Sequence, residues 1–280
     1  MILTNYHSHT RFSDGSSEPK EYIEKAIENK MAAYGFSCHA PTPFPCTWAI
    51  APEKLNQYLQ EIEELKLIYK VKIEIYKSLE IDYFPGNPLA QPQNYKVLNL
   101  DYIIGSVHFV DNLKNGEAWN IDTSKRIFDD GMVEIFDGDG KKAVTKFYEL
   151  TLEMLEVMKP EVIGHLDKIK MFNIENKFFN ENEQWYQDLI EIVLQKIAVI
   201  GTIVEVNTRG IYRGKTKDHY PSDQVLKRCY ELNIPVQINT DCHKPEEVAL
   251  GITEASELLR TIGFKTVRVL LGNKWQDVLL

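Results

Sequence analysis

The chain has 280 residues, with 32 Lys and Arg against 41 Asp and Glu, a formal net charge of −9 and 44 % hydrophobic residues. This is the composition of a soluble folded protein and excludes disordered and collagen-like classes. The acidic balance argues against a nucleic-acid partner, which needs clustered Lys and Arg on phosphates; the densest basic stretch, residues 209–217, holds four such residues.

No window approaches the roughly 18 uncharged apolar residues of a membrane span, and residues 1–10 lack the basic start and apolar run of a signal peptide. The cysteines at 38, 46, 229 and 242 contain no C-x-x-C pair. The expectation is a cytoplasmic protein with free thiols and no membrane or nucleic-acid partner.

Short β-branched runs alternate with longer helical patterns from end to end, which predicts repeated βα units around a parallel sheet. A strand over 2–6 precedes Ser16-Ser17-Glu18-Pro19, where a serine cap and an early proline start a helix to about residue 30. A strand at 33–38, a Pro-rich loop and a helix at 52–69 follow, then strands at 72–81 and 102–107. Residues 109–140 are polar and rich in Gly, Asp and Asn, and are expected to form a long substrate loop. Helix 141–158 leads into strand 161–164, helix 183–199 into strand 202–206, and helix 222–232 into strand 235–239. A helix at 245–262 and a strand at 266–271 close the chain.

Six of the seven histidines, His7, His9, His39, His108, His165 and His243, fall at or just beyond the C-terminal end of a predicted strand. In parallel α/β barrels the loops after the strands converge on one face, where polar residues serve catalysis. The period of two along a strand puts both imidazoles of His7-Ser8-His9 on one side, and Asp241-Cys242-His243 repeats that spacing. Glu80 and Asp14 add carboxylates at equivalent places. A lone H-x-H is more often structural, but nine nitrogen and oxygen ligands gathered at strand ends suffice for two or three divalent ions, if Glu80 or Asp241 bridges. The donor set suits Zn, Mn or Fe. Asp14 could instead cap a turn. Asp82, Asp101 and Asp167 read as ordinary loop or helix-start acids, and Glu205 and Asn207 as either supports for the ligands or polar barrel filling.

The motifs His-Ser-His-Thr-Arg-Phe-Ser-Asp-Gly, Phe-Ser-Cys-His-Ala-Pro, Ser-Leu-Glu-Ile-Asp-Tyr, Gly-Ser-Val-His-Phe-Val, Ile-Gly-His-Leu-Asp, Glu-Val-Asn-Thr-Arg-Gly and Asn-Thr-Asp-Cys-His-Lys-Pro occur in this order. They resemble the polymerase and histidinol phosphatase (PHP) superfamily, and within it the histidinol-phosphate phosphatases. The resemblance runs from residue 1 to about 260. It implies a distorted (β/α)7 TIM-like barrel, residues 1–280 as a single PHP-type barrel domain, and a trinuclear metal site. One ion would take His7, His9, Glu80 and Asp241, a second Glu80, His108 and His165, and a third Asp14, His39 and His243. Cys38 stands where the family commonly has Asp or Glu; alternation points it away from His39, so a changed surrounding is expected, not a lost ligand.

The implied activity is metal-dependent hydrolysis of a small phosphomonoester, L-histidinol phosphate, in histidine biosynthesis. Glu80, Asp241 and His243 are the candidate catalytic residues, the last two or a metal-bound water as possible proton donors to the leaving alkoxide. Arg209 and Arg213 are candidate phosphate ligands because a guanidinium fork fits phosphate oxygens, and Lys215 and His219 are weaker ones on the same loop. Loops 44–48 and 119–122, with Trp48 and Trp119, would meet the amine and imidazole end. A phosphoesterase of the same superfamily acting on another small ester or a nucleotide is the alternative. An amidohydrolase-like enzyme fits poorly, because no lysine sits at a central strand end to form a bridging carbamate. A nuclease or polymerase-attached module would need a basic groove or accessory domains.

Overall fold

The computed structural model describes residues 2–280. In chain order it contains β1 (Thr4–Asn5), α1 (Pro19–Glu28), β2 (Ala33–Phe36), α2 (Leu55–Tyr69), β3 (Glu74–Lys77), β4 (Glu80–Asp82), α3 (Pro92–Tyr95), β5 (Ile104–Ser106), β6 (Phe109–Asn112), β7 (Ala118–Asn120), α4 (Lys125–Glu134), α5 (Gly140–Val157) and β8 (Val162–Ile163). It continues with α6 (Gln184–Ile200), β9 (Ile203–Asn207), α7 (Arg209–Tyr212), α8 (Asp223–Glu231), β10 (Val236–Asn239), α9 (Ile252–Ile262), β11 (Thr266–Leu271) and β12 (Lys274–Leu279).

Parallel pairing runs β1-β2-β3 in one sheet and β4-β5-β8-β9-β10 in another. The predicted strand 72–81 is the joint between them. It breaks after β3: Ser78 N still donates to Phe36 O of β2, while Leu79 O accepts from Ile104 N of β5. Counted as one interrupted strand, β3 and β4 make seven staves. The seam between β1 and β10 closes through asparagine side chains where a regular ladder is missing: Asn239 Oδ1 accepts from Tyr6 N (2.8 Å) and Asn5 Oδ1 from Thr240 N (3.0 Å). A parallel bridge between Ser8 and Cys242 completes it. The result is a distorted (β/α)7 barrel, with helices outside and the strands' C-terminal ends converging on one face.

Helices form where a cap precedes an apolar stripe of helical period. Asp139 accepts from Lys142 N (3.2 Å) to start α5, whose Ala143, Val144, Phe147, Tyr148, Leu150, Met154 and Leu155 are buried. The start of α1 differs from the serine cap expected: Glu18 occupies the cap, and Glu21 Oε1 accepts from its backbone N–H (3.1 Å). The segment 109–140 is not a long loop. It folds as the β6–β7 hairpin, turning at Asn115-Gly116 with Gly116 at φ +85°, and then as α4, capped by Ser124 accepting from Ile127 N (3.2 Å). The helix expected at 245–262 begins only at Ile252, and β12 pairs antiparallel with β11 beyond the last predicted strand. Among the described residues no helix is long and apolar enough to cross a membrane, and the four cysteines are free.

Candidate metal centre

Strand alternation and barrel closure aim the polar side chains inward. The Ser8–Cys242 bridge uses those two residues for the seam, so His7, His9, Asp241 and His243 on either side of them face the barrel mouth. A second bridge pairs His39 with Glu80. Asp14 lies on a loop tied back by Ser16 N donating to His243 O (2.8 Å). Gly164 makes room for the central carboxylate: a Cβ there would meet Ser106 Oγ at 2.5 Å and Glu80 Oε1 at 3.6 Å.

The nine expected ligands converge. Glu80, 0 % exposed, is the hub: Oε2 lies 3.1 Å from His7 Nε2, 3.0 Å from His39 Nδ1 and 3.6 Å from His9 Nε2, and Oε1 lies 2.9 Å from His165 Nε2 and 3.8 Å from His108 Nε2. Asp241 Oδ1 is 3.3 Å from His9 Nε2 and 3.8 Å from His7 Nε2. Asp14 Oδ2 meets His243 Nε2 at 3.0 Å, with Oδ1 3.6 Å from His9 Nδ1 and 3.8 Å from His39 Nε2. Asp14 thus joins the cluster. Three groups have ligand atoms close enough to share an ion: His7, His9 and Asp241; His39, Glu80 and His108; and His9, Asp14, His39 and His243. This sorting makes His9 and His39 common to two groups each and puts His39 in the place of His165 beside Glu80 and His108, where the family resemblance implies one ion for each of the three histidines.

The electrostatics suit cations. Burial disfavours charge on Glu80, but His7, His39 and His108 more than offset it and hold the carboxyl well below the usual range. Asp241 is likewise held down, against its burial, by His7, His9 and Arg209. Burial, with His243 and His39 beside it, lowers His9 to about 3, whereas Asp82, Asp122 and Glu80 outweigh burial at His108 and push it up to about 10. His7 Nε2, both His9 nitrogens, His39 Nδ1 and Glu80 Oε2 are buried without a hydrogen bond. Buried orphans of this kind are rare in proteins, and nitrogen and carboxylate donors aimed at shared points fit divalent ions such as Zn, Mn or Fe.

Outer partners fix the imidazoles. Glu205 Oε1 takes His7 Nδ1 at 2.6 Å and Asn239 Nδ2 at 3.1 Å, and its Oε2 accepts from His165 N at 2.9 Å. Asn207 Nδ2 donates to Asp241 Oδ2 (3.1 Å). Both therefore support the ligands and are not simple filling. Asp82, read from sequence as an ordinary acid, is the partner of His108 Nδ1 at 2.6 Å; period two from Glu80 along β4 was the signal for it. Cys38 does turn away, its sulfur accepting from Thr10 N (3.3 Å). Asp241 sits in the left-handed region at φ 51°, a strained conformation that tends to persist at functional sites.

Beside the cluster lies a cavity of about 300 Å³. Arg209, Arg213 and Lys215 line one wall, and Trp48, edge-on to His39 at 4.5 Å, lines another. Trp119 does not line it. It is 0 % exposed, donates Nε1–H to Ile127 O (2.9 Å) and packs on Phe128 and Phe136, because β7 turns it beneath α4. Asp122, two residues after the strand, does reach the cavity, and His219 is buried beside it without lining it. Sequence reasoning missed Lys168, whose Nζ lies 3.4 Å from Asp122 Oδ2; burial works against its charge, but Asp122 and Asp241 stabilise it. Its position three residues after His165 was the available clue.

Two curated relatives, both called histidinol-phosphatase, align along nearly their whole length. The Bacillus subtilis protein is 25 % identical over 261 residues, covering 86 % of this chain and 94 % of its own. The Lactococcus lactis protein is 25 % identical over 293 residues, covering 98 % of this chain and 96 % of its own. Among solved structures, the histidinol phosphate phosphatase of Lactococcus lactis, complexed with zinc, L-histidinol and phosphate, superposes with a TM-score of 0.73 at 21 % identity over 98 % of both chains. A chain from Listeria monocytogenes reaches 0.80, also at 21 % identity, over 90 % of this chain and 99 % of its own. The model of the PHP domain matches residues 5–209, more than half of the sequence and seven of the nine clustered histidines and carboxylates, all but Asp241 and His243, and the chain belongs to the PHP domain family.

Proposed function

We propose that this chain is a metal-dependent phosphomonoesterase that hydrolyses L-histidinol phosphate to L-histidinol and phosphate, with residues 1–280 acting as one barrel domain. The observation that carries the reading is the juxtaposition of three ligand groups, overlapping at His9 and His39 around Glu80, with a cavity walled by Arg209, Arg213 and Lys215. His7, His9, Asp14, His39, Glu80, His108, His165, Asp241 and His243 would hold two or three divalent ions. Such ions, when bound, supply Lewis-acid stabilisation of phosphoryl oxygens and a nucleophile at neutral pH.

The chain's own residues do the remaining work. Arg213, and Arg209 behind it, bind the phosphate oxygens with fixed guanidinium forks. Asp241, held ionised, accepts a hydrogen bond from the attacking water and orients it, and His243 is positioned between Asp14 and Asp241 by both its ring nitrogens. Lys168 and Asp122 present a paired cation and anion to the rest of the substrate, and Trp48 offers an aromatic edge. The names of the full-length relatives support histidinol phosphate as the ester.

The test is a steady-state panel of phosphomonoesters with metal analysis of the same sample. L-Histidinol phosphate is expected to exceed sugar phosphates, nucleotides and p-nitrophenyl phosphate in kcat/KM by at least about a hundredfold, roughly 2.7 kcal/mol of discrimination. A flat panel would replace the biosynthetic assignment with a general phosphoesterase; one ion or none per chain would remove the multinuclear reading.

A further inference from the structure

The cavity arginines share an anchor that the reaction itself does not call for. Glu247 ends the short turn Pro245–Glu247, and only 6 % of it is exposed. Its Oε2 accepts from His243 N at 3.0 Å and from Arg209 Nη1 at 3.4 Å, and its Oε1 accepts from Arg213 Nη1 at 3.3 Å. Among the described residues it is the acid paired with Arg213, whose side chain is otherwise 45 % exposed. Arg209 has further ties through the same nitrogen, to Asp241 O at 2.9 Å and Tyr212 Oη at 3.2 Å.

We propose that Glu247 is a positioning residue for phosphate recognition, clamping the guanidiniums of Arg209 and Arg213 to the backbone of the loop that carries Asp241 and His243. The proposal rests on the phosphatase reading above and deepens it. Two guanidiniums side by side repel one another, and each carries a long, mobile stem. One buried carboxylate between them removes the repulsion, leaves a single net positive charge for the phosphate, and holds that charge at a fixed offset from the metal-binding loop. The remaining nitrogens of each fork stay free for phosphate oxygens. Holding these groups in place before binding removes the ordering cost that a loose arginine would add.

The test is Glu247→Gln, which keeps an acceptor for His243 N–H and removes only the charge. KM for the phosphomonoester is expected to rise about tenfold with kcat within about threefold, and the affinity for inorganic phosphate, measured by calorimetry on metal-loaded protein, to fall by the same factor. Metal content should stay at the wild-type value. Combined with Arg213→Ala, the two losses should fall short of their product by at least about threefold, because both act on the same contact. The proposal is overturned if phosphate affinity and KM stay within twofold, if the losses multiply, or if Glu247→Gln sheds metal. Absence of phosphomonoester turnover by the wild type would overturn the phosphatase reading separately, while phosphate calorimetry would still report on Glu247.

Discussion

At the floor of the barrel the hydroxyl of Tyr6 donates to Leu270 O (2.7 Å) and accepts from Leu270 N (3.0 Å), Tyr102 donates to Tyr6 O, and Trp275 lies against both rings. One residue further along the same chain, His7 is just as buried, yet its Nε2 has no hydrogen bond and faces an equally unsatisfied Glu80 Oε2. The two ends are made by the same strands. At the floor every polar atom of the tyrosine is used internally, which closes the barrel with the β11–β12 hairpin; at the mouth the polar atoms are held apart and aimed at shared points. Satisfied burial stabilises, whereas unsatisfied burial costs free energy that a ligand can return. The contrast separates the part of the molecule that keeps it folded from the part that does chemistry.

Substitutions at the two ends should therefore fail differently. Glu80→Gln, at the hub, should lower kcat/KM by about a thousandfold or more, roughly 4 kcal/mol, with loss of bound metal and an unchanged far-UV circular dichroism spectrum; near-normal turnover at full metal content would move the hub elsewhere. Asp82→Asn should cost about 10–100-fold in metal affinity or activity by releasing the orientation of His108, read by metal titration. Tyr6→Phe sharpens the other side of the comparison. It should lower unfolding free energy by about 2 kcal/mol, because Leu270 N–H and C=O lose their partner, while kcat/KM stays within twofold; a large loss of activity there would break the division. The smallest effect is expected at Arg213→Ala, about a tenfold rise in KM or roughly 1.4 kcal/mol, since this guanidinium is half exposed and already paired with Glu247.

Arg209 crosses the division. Its Nη1 braces the carbonyl of Asp241 at the left-handed turn, so its removal would disturb the loop that carries Asp241 and His243 as well as the basic wall of the cavity. The sequence gives the two arginines equivalent roles because they follow the same strand four residues apart; only their partners tell them apart.

Spacing alone carried the expected ligand set, since strand period and strand-end placement depend on neighbours in the chain. The same rule applied to Glu80-Ile81-Asp82 would also have found Asp82. Trp119 failed for the opposite reason: a loop composition rich in Gly and Asp hid the Ser124 cap and the apolar 127, 128 and 132 positions, and the resulting helix folds the indole inside. The break between β3 and β4 was unreadable because each half carries a buried isoleucine, Ile75 and Ile81, as one continuous strand would, and the change of partner strand is a long-range event.

By itself, the sequence determined the alternation of strands and helices, the inward side of each strand end and the chemical type of the donors, because these are local consequences of period and residue identity. The tertiary structure decided which donors share a point, how the seam closes through Asn5 and Asn239, and that Glu247 reaches two arginines and His243 at once. Apart from Glu247 with His243, four positions away, those pairings join residues tens to hundreds of positions apart, and no local rule of propensity or spacing encodes a distance across a closed barrel.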